Sequence, residues 1–164
     1  MDRFIRRAVI PSLTVTAAFT VLNLFAGTAT STPADLDDLI ARIRTESSDQ
    51  ARRDEAQDLA LRISQIVDEG QSAAIGDDTI AALVALLEDD NEAGDFWVAG
   101  ALGLIGPRAS RAVPVLEELH PKACAKLLAL SFTSGVHYVD AIEGALERIS
   151  GAAPDCRGLR PVQH

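Results

Sequence analysis

Apolar side chains recur along this chain at three- and four-residue intervals and never alternate over a long run, so the pattern predicts helices and no sheet. Leu36, Leu39, Ile40 and Ile43 form one stripe over residues 35–46. Aspartates crowd the start of that segment and Arg42 and Arg44 its end, as the helix dipole favours. Ser48 or Asp49 is placed to cap a second, longer helix that carries Ala56, Leu59, Ile63 and Ile66, reaches about Asp68 and stops at Gly70. Asp77 or Asp78 caps a third, with Ile80, Leu83, Leu86 and Leu87, which ends at the turn Asp89-Asp90-Asn91-Glu92. A fourth helix is expected from about Ala93 to Ile105, before Gly106-Pro107. The fifth begins near Ala109 and closes at His120-Pro121; Pro114 demands either a kink or a late first turn. The sixth runs from about Gly135 to Ser150, with Val139, Ile142, Ala145, Leu146 and Ile149 inward, and Gly151 stops it.

Six short helices joined by tight turns fall naturally into pairs. Two local echoes suggest a repeat. Ala82-Leu83-Val84-Ala85-Leu86 resembles Ala112-Val113-Pro114-Val115-Leu116, thirty residues on. Ala101-Leu102-Gly103-Leu104-Ile105 resembles Ala145-Leu146-Glu147-Arg148-Ile149, forty-four residues on, which leaves a surplus of about 14 residues in segment 121–134. Ala101-Leu102-Gly103-Leu104-Ile105-Gly106, followed by Pro107, Ala109, Ala112, Val113-Pro114 and Leu116, resembles the join between two HEAT repeats, of the subgroup first named from phycobilisome lyases. Gly94-Asp95 stand where that family has Val-Arg. The resemblance implies an all-α fold: a short right-handed αα solenoid of about three HEAT-like helix pairs over residues 35–150, followed by a C-terminal tail, 151–164. It also implies a binding scaffold, because repeats of this kind are mostly that.

Composition fits close helix stacking: 48% of residues are hydrophobic and only 4% aromatic. The N-terminal residues change the picture of where the protein works. Arg3, Arg6 and Arg7 precede an apolar run from Ala8 to about Ala26, and Gly27-Thr28-Ala29 offers a cleavage site after Ala29. Residues 1–29 therefore read as a signal peptide, with a retained membrane anchor as the alternative, and the mature protein as periplasmic or secreted. The net charge is −9, and without residues 1–29 it is near −11. Lys122 and Lys126 are the only lysines, so the basic stripe that phosphate backbones require is missing and nucleic acid is excluded as a partner. Cys124 and Cys156 are the only cysteines, and in an oxidising compartment a disulfide is expected between them.

Catalytic motifs are missing: there is no Gly-x-Ser-x-Gly, Ser-x-x-Lys or phosphate-binding glycine loop, so no catalytic residue is assigned. His120 follows Glu117 by three and reads as a solvated pair at a helix end. His137 lies three before Asp140, too little for a catalytic assignment. With His120 and two cysteines, too few ligands sit at metal spacing, and no metal or other cofactor is expected. The turn at Asp89–Glu92 lacks the glycine and spacing of a calcium loop.

A surface remains. The second helix of each αα pair lines the concave side of a solenoid. Subtracting the buried stripes leaves Gln57, Leu61 and Ser64 on helix two, Phe96, Gly100 and Gly103 on helix four, and His137, Ala141, Gly144 and Arg148 on helix six. Leu61, Phe96, Gly100, Gly103, His137 and Arg148 are the candidate partner-binding residues, for a protein or peptide. The alternatives are that segment 121–134, with Leu127, Leu128, Leu130 and Phe132, folds back over this groove, and that Trp97 on its flank serves inter-repeat packing. The expected function is an exported, non-catalytic interaction scaffold. An inhibitor or immunity-type protein, whose acidic surface blocks a basic secreted enzyme or toxin, is the alternative.

Overall fold

The computed structural model describes residues 33–89, 91–129, 134–152 and 154–156, all within one unit, Ser31–His164. The expected signal at 1–29 and residues 130–133 of the surplus segment lie outside the described residues. Within them the chain is all-helical and has no strand: α1 (Pro33–Thr45), α2 (Asp49–Asp68), α3 (Asp77–Leu87), α4 (Asp95–Ile105), α5 (Val113–Ala129) and α6 (Ser134–Ser150). Short 3-10 turns at Ser72–Ala74 and Gly106–Ala112 join α2 to α3 and α4 to α5.

Helix ends follow local chemistry. The Ser48 side chain accepts from the Ala51 N–H at the start of α2. At its end Gly70 adopts φ 72°, so that Gly70 N–H reaches Val67 O and Gln71 N–H reaches Ile66 O, the paired bonds of a Schellman stop. Pro114 takes the second position of α5: the late first turn holds, and the preceding residues form the 3-10 turn instead. The expected stop at His120-Pro121 does not occur, because α5 runs on through Pro121 to Ala129. Proline inside a helix costs about 3 kcal/mol. Here its ring faces solvent, and the continued helix buries Ala123 and Cys124 completely, which offsets that cost. Residues 121–129 are thus the second half of a helix, and the side chains of Leu128, Leu130 and Phe132 lie outside the described residues.

The core is built largely from the predicted stripes: Leu36, Leu59, Ile63, Ile80, Leu83 and Ile142 are all fully buried, and Leu102 and Leu116 join them. Each such side chain contributes about 1.5–3 kcal/mol relative to its exposed state. The central element is α4, which packs on α2, α3 and α6; α1 packs on α2 and α3, and α5 on α6. A buried arginine fixes one of these junctions. Arg52 of α2 donates to Ile43 O at the end of α1 (2.8 Å), to Ala93 O before α4 (2.8 Å) and to the Asp89 carboxylate. One guanidinium thereby satisfies three acceptors and neutralises itself. At the other end of the chain, Cys124 and Cys156 form the expected disulfide, with Cα atoms 5.5 Å apart.

Candidate functional site

Glycine decides how the site begins. Gly94, just before α4, sits at φ 100°, a conformation other residues avoid. A Cβ there would lie 2.8 Å from Ala56 Cβ, so the turn can press onto α2 only because it carries none. That approach brings Arg53 of α2, the turn residues Glu92 and Ala93, Phe96 and Trp97 of α4, and Tyr138 of α6 around one cleft of about 580 Å³. Phe96 and Trp97 meet edge to face, ring centroids 4.7 Å apart and planes at 75°. Trp97 and Tyr138 are the only tryptophan and the only tyrosine of the chain. An otherwise aromatic-poor protein therefore spends both on this one concavity.

Behind the aromatic wall lies Asp95, 3% exposed, whose Oδ2 accepts from the Tyr138 hydroxyl at 3.2 Å. Burial pushes its carboxyl up to about 7; Asp89 and Glu92 add to the rise, while the Tyr138 hydrogen bond and Arg52 oppose it. The Tyr138 hydroxyl is raised as well, first by burial and then by the Asp95 charge. On the other side of Asp95 a second hollow of about 380 Å³ is rimmed by Glu88, Asp89, Glu92 and Glu118, of which Asp89 pairs with Arg52, Glu92 with Lys126 and Glu118 with Lys122.

The predicted face is only partly assembled. Phe96 lines the cleft, and Leu61 on α2 is 59% exposed and Arg148 on α6 is exposed, but neither of the latter two reaches it. Gly100 is half-buried with open space where a Cβ would stand. Gly103 does not face outward: it is buried, and a Cβ there would lie 3.0 Å from Ala145 Cα, so it closes the seam between α4 and α6. The periodicity placed it one position off because α6 crosses α4 at this point. The side chain of His137 lies outside the described residues. Trp97 packs partly against the core and also lines the cleft. No described residue of 121–129 lines it.

His120 also departs from expectation. It is buried, and its partner is Glu143 of α6, 2.9 Å from Nε2, and not the exposed Glu117. The continued α5 carries His120 inward against α6, and Cys124 Sγ lies 3.4 Å from the same nitrogen. Sequence reasoning missed Asp95–Tyr138 and His120–Glu143 because each pair joins separate helices. The one signal was Asp95 itself, an acid at the head of an otherwise apolar helix. Comparison with family models, curated proteins and solved structures finds no match for the chain.

Proposed function

We propose that this chain is an exported, non-catalytic scaffold that holds a protein or peptide partner in the cell envelope, with the Phe96–Trp97–Tyr138 cleft as the docking point. The observation that carries the reading is the gathering of these aromatics, with Arg53, around one open concavity. Tryptophan, tyrosine and arginine are the residue types that dominate binding energy at interfaces, and they do so from such pockets. The export reading rests on the arginine start, apolar run and small-residue site of residues 1–29, and is supported by the disulfide. The HEAT-like solenoid reading rests on the sequence resemblance; the packing of α4 between its pair mate α3 and the second helices of the flanking pairs, α2 and α6, supports it.

The alternative reading, an inhibitor of a basic secreted enzyme or toxin, rests on the acidic balance of the chain, a net charge of −9.

Trp97 provides the test, because it is the chain's only tryptophan and lies in the cleft. Peptides selected on the full chain from a random library should shift its fluorescence. Phe96→Ala should weaken them by about 1–3 kcal/mol while the melting temperature stays within a few degrees. Peptides that bind Phe96→Ala and Tyr138→Ala as tightly as the parent would sink the cleft as the docking point.

A further inference from the structure

The seam between α5, α6 and the tail brings together a set of ligand atoms that the sequence scatters. His120 and Cys124 lie one turn apart on α5, Glu143 comes from α6, and Cys156 from just beyond the end of α6. The imidazole Nε2, the two Sγ atoms and a carboxylate oxygen all lie within 4.8 Å of one another. They also converge on one point. The same Nε2 faces Glu143 Oε1 at 2.9 Å and Cys124 Sγ at 3.4 Å, and Glu143 Oε1 in turn accepts from the Cys156 N–H at 3.3 Å. His120 and Cys124 are buried, and the two other ligands are half-buried.

We propose that these four residues form a zinc site whenever the Cys124–Cys156 bond is reduced, so that the disulfide and the metal are alternative staples of the same seam. Two thiolates, an imidazole and a carboxylate are each ligands that zinc takes and together are enough to close a tetrahedral site, and thiolates select zinc over calcium or magnesium. Zinc bond lengths of about 2.0–2.3 Å require ligand separations of about 3.3–3.8 Å, so the sulfurs must open to roughly the distance His120 Nε2 already keeps from Cys124. Cys156 lies on a short connection past Gly151, free of any α-helix, and can supply that movement. The chemistry balances. A dithiol reductant gives two electrons and two protons to the disulfide, leaving two cysteine thiols and its own disulfide. Zinc then displaces both thiol protons, and reoxidation of the pair releases the ion. The metal state belongs to a reducing compartment and the disulfide state to an oxidising one.

The test uses the full chain, reduced with dithiothreitol and freed of it without air, beside the oxidised chain. Cobalt should bind the reduced chain at one per molecule, with the intense visible bands of a tetrahedral site and a thiolate-to-cobalt charge-transfer band. Zinc should displace the cobalt, and zinc added to the metal-free reduced chain should release about two protons, those of the two thiols. His120→Ala and Glu143→Gln, each checked for native helicity while oxidised, should weaken zinc at least about tenfold after reduction. The oxidised chain should give none of these signals. If reduction alone lowers the helical signal, zinc should restore it, and failure to restore it would overturn the proposal. An octahedral cobalt spectrum, equal uptake by the oxidised chain, or unchanged affinity in both variants would do so too.

Discussion

At the scale of single residues, Asp95 is the carboxyl that burial perturbs most among the described residues. It is an acid in the first turn of α4, where the helix dipole favours its charge, yet burial raises it from 3.8 to about 7. In the unfolded chain it ionises near 4, and in the folded chain it keeps its proton to about 7. Between those values the native state binds the extra proton, so its contribution is full at low pH and is lost as pH rises through that window. At about 1.4 kcal/mol per unit the loss approaches a ceiling of about 4 kcal/mol. Asp95→Asn removes the ionisation and keeps an acceptor for Tyr138. Urea denaturation should show it more stable than the parent by about 1–4 kcal/mol at pH 8 and nearly equal at pH 4. A difference that does not change between these pH values would show that Asp95 is not the strained acid. The sequence marked Asp95 only as an acid at the head of an apolar helix and a departure from the repeat pattern; its shift was not legible there, because desolvation depends on what α6 places over it.

Between elements, close approach is set by glycine, and the two glycines of α4 make opposite forecasts. A Cβ added at Gly103 would lie 3.0 Å from the Ala145 backbone, whereas one at Gly100 would meet nothing within 4 Å. Gly103→Ala should therefore overpack the α4–α6 seam and cost about 1–3 kcal/mol. Gly100→Ala should gain up to about 1 kcal/mol from helix propensity alone. Thermal melts of the two variants should move in opposite directions, and a shift of the same sign in both would refute the seam geometry. The apolar stripes, Ser48 and Gly70 announced α1, α2 and their limits because those signals are local. Pro121 misled for the same reason: the local rule ends the helix there, and burial of Ala123 and Cys124 against the rest of the fold overrides it. The cleft was half legible. Phe96 follows from helical periodicity, but Tyr138 and Arg53 reach it only through the packing of α2 and α6 on α4.

For the molecule as a whole, the question is what holds its C-terminal end. The described residues beyond Ser150 lie outside the α-helices, and Cys156 is joined to α5 through Cys124, 32 residues away in sequence. Closing a loop of that length in the unfolded chain removes entropy worth about 3–4 kcal/mol. The bond also holds the tail where Cys156 N–H meets Glu143 Oε1, and thus braces the α5–α6 junction on which Tyr138 depends. Reduction should accordingly lower the melting temperature by about 10 °C or more, measured with a chelator present so that no metal can replace the bond. Cys124→Ser/Cys156→Ser should match the reduced parent, which separates loss of the cross-link from effects of the reductant. Hydrogen exchange should then show faster opening in α6 than in α2, because α2 is held by Arg52 and not by the disulfide. Equal melting temperatures for the oxidised and reduced chains would mean that helix packing alone fixes the seam and that the cysteines are paired without consequence for the fold.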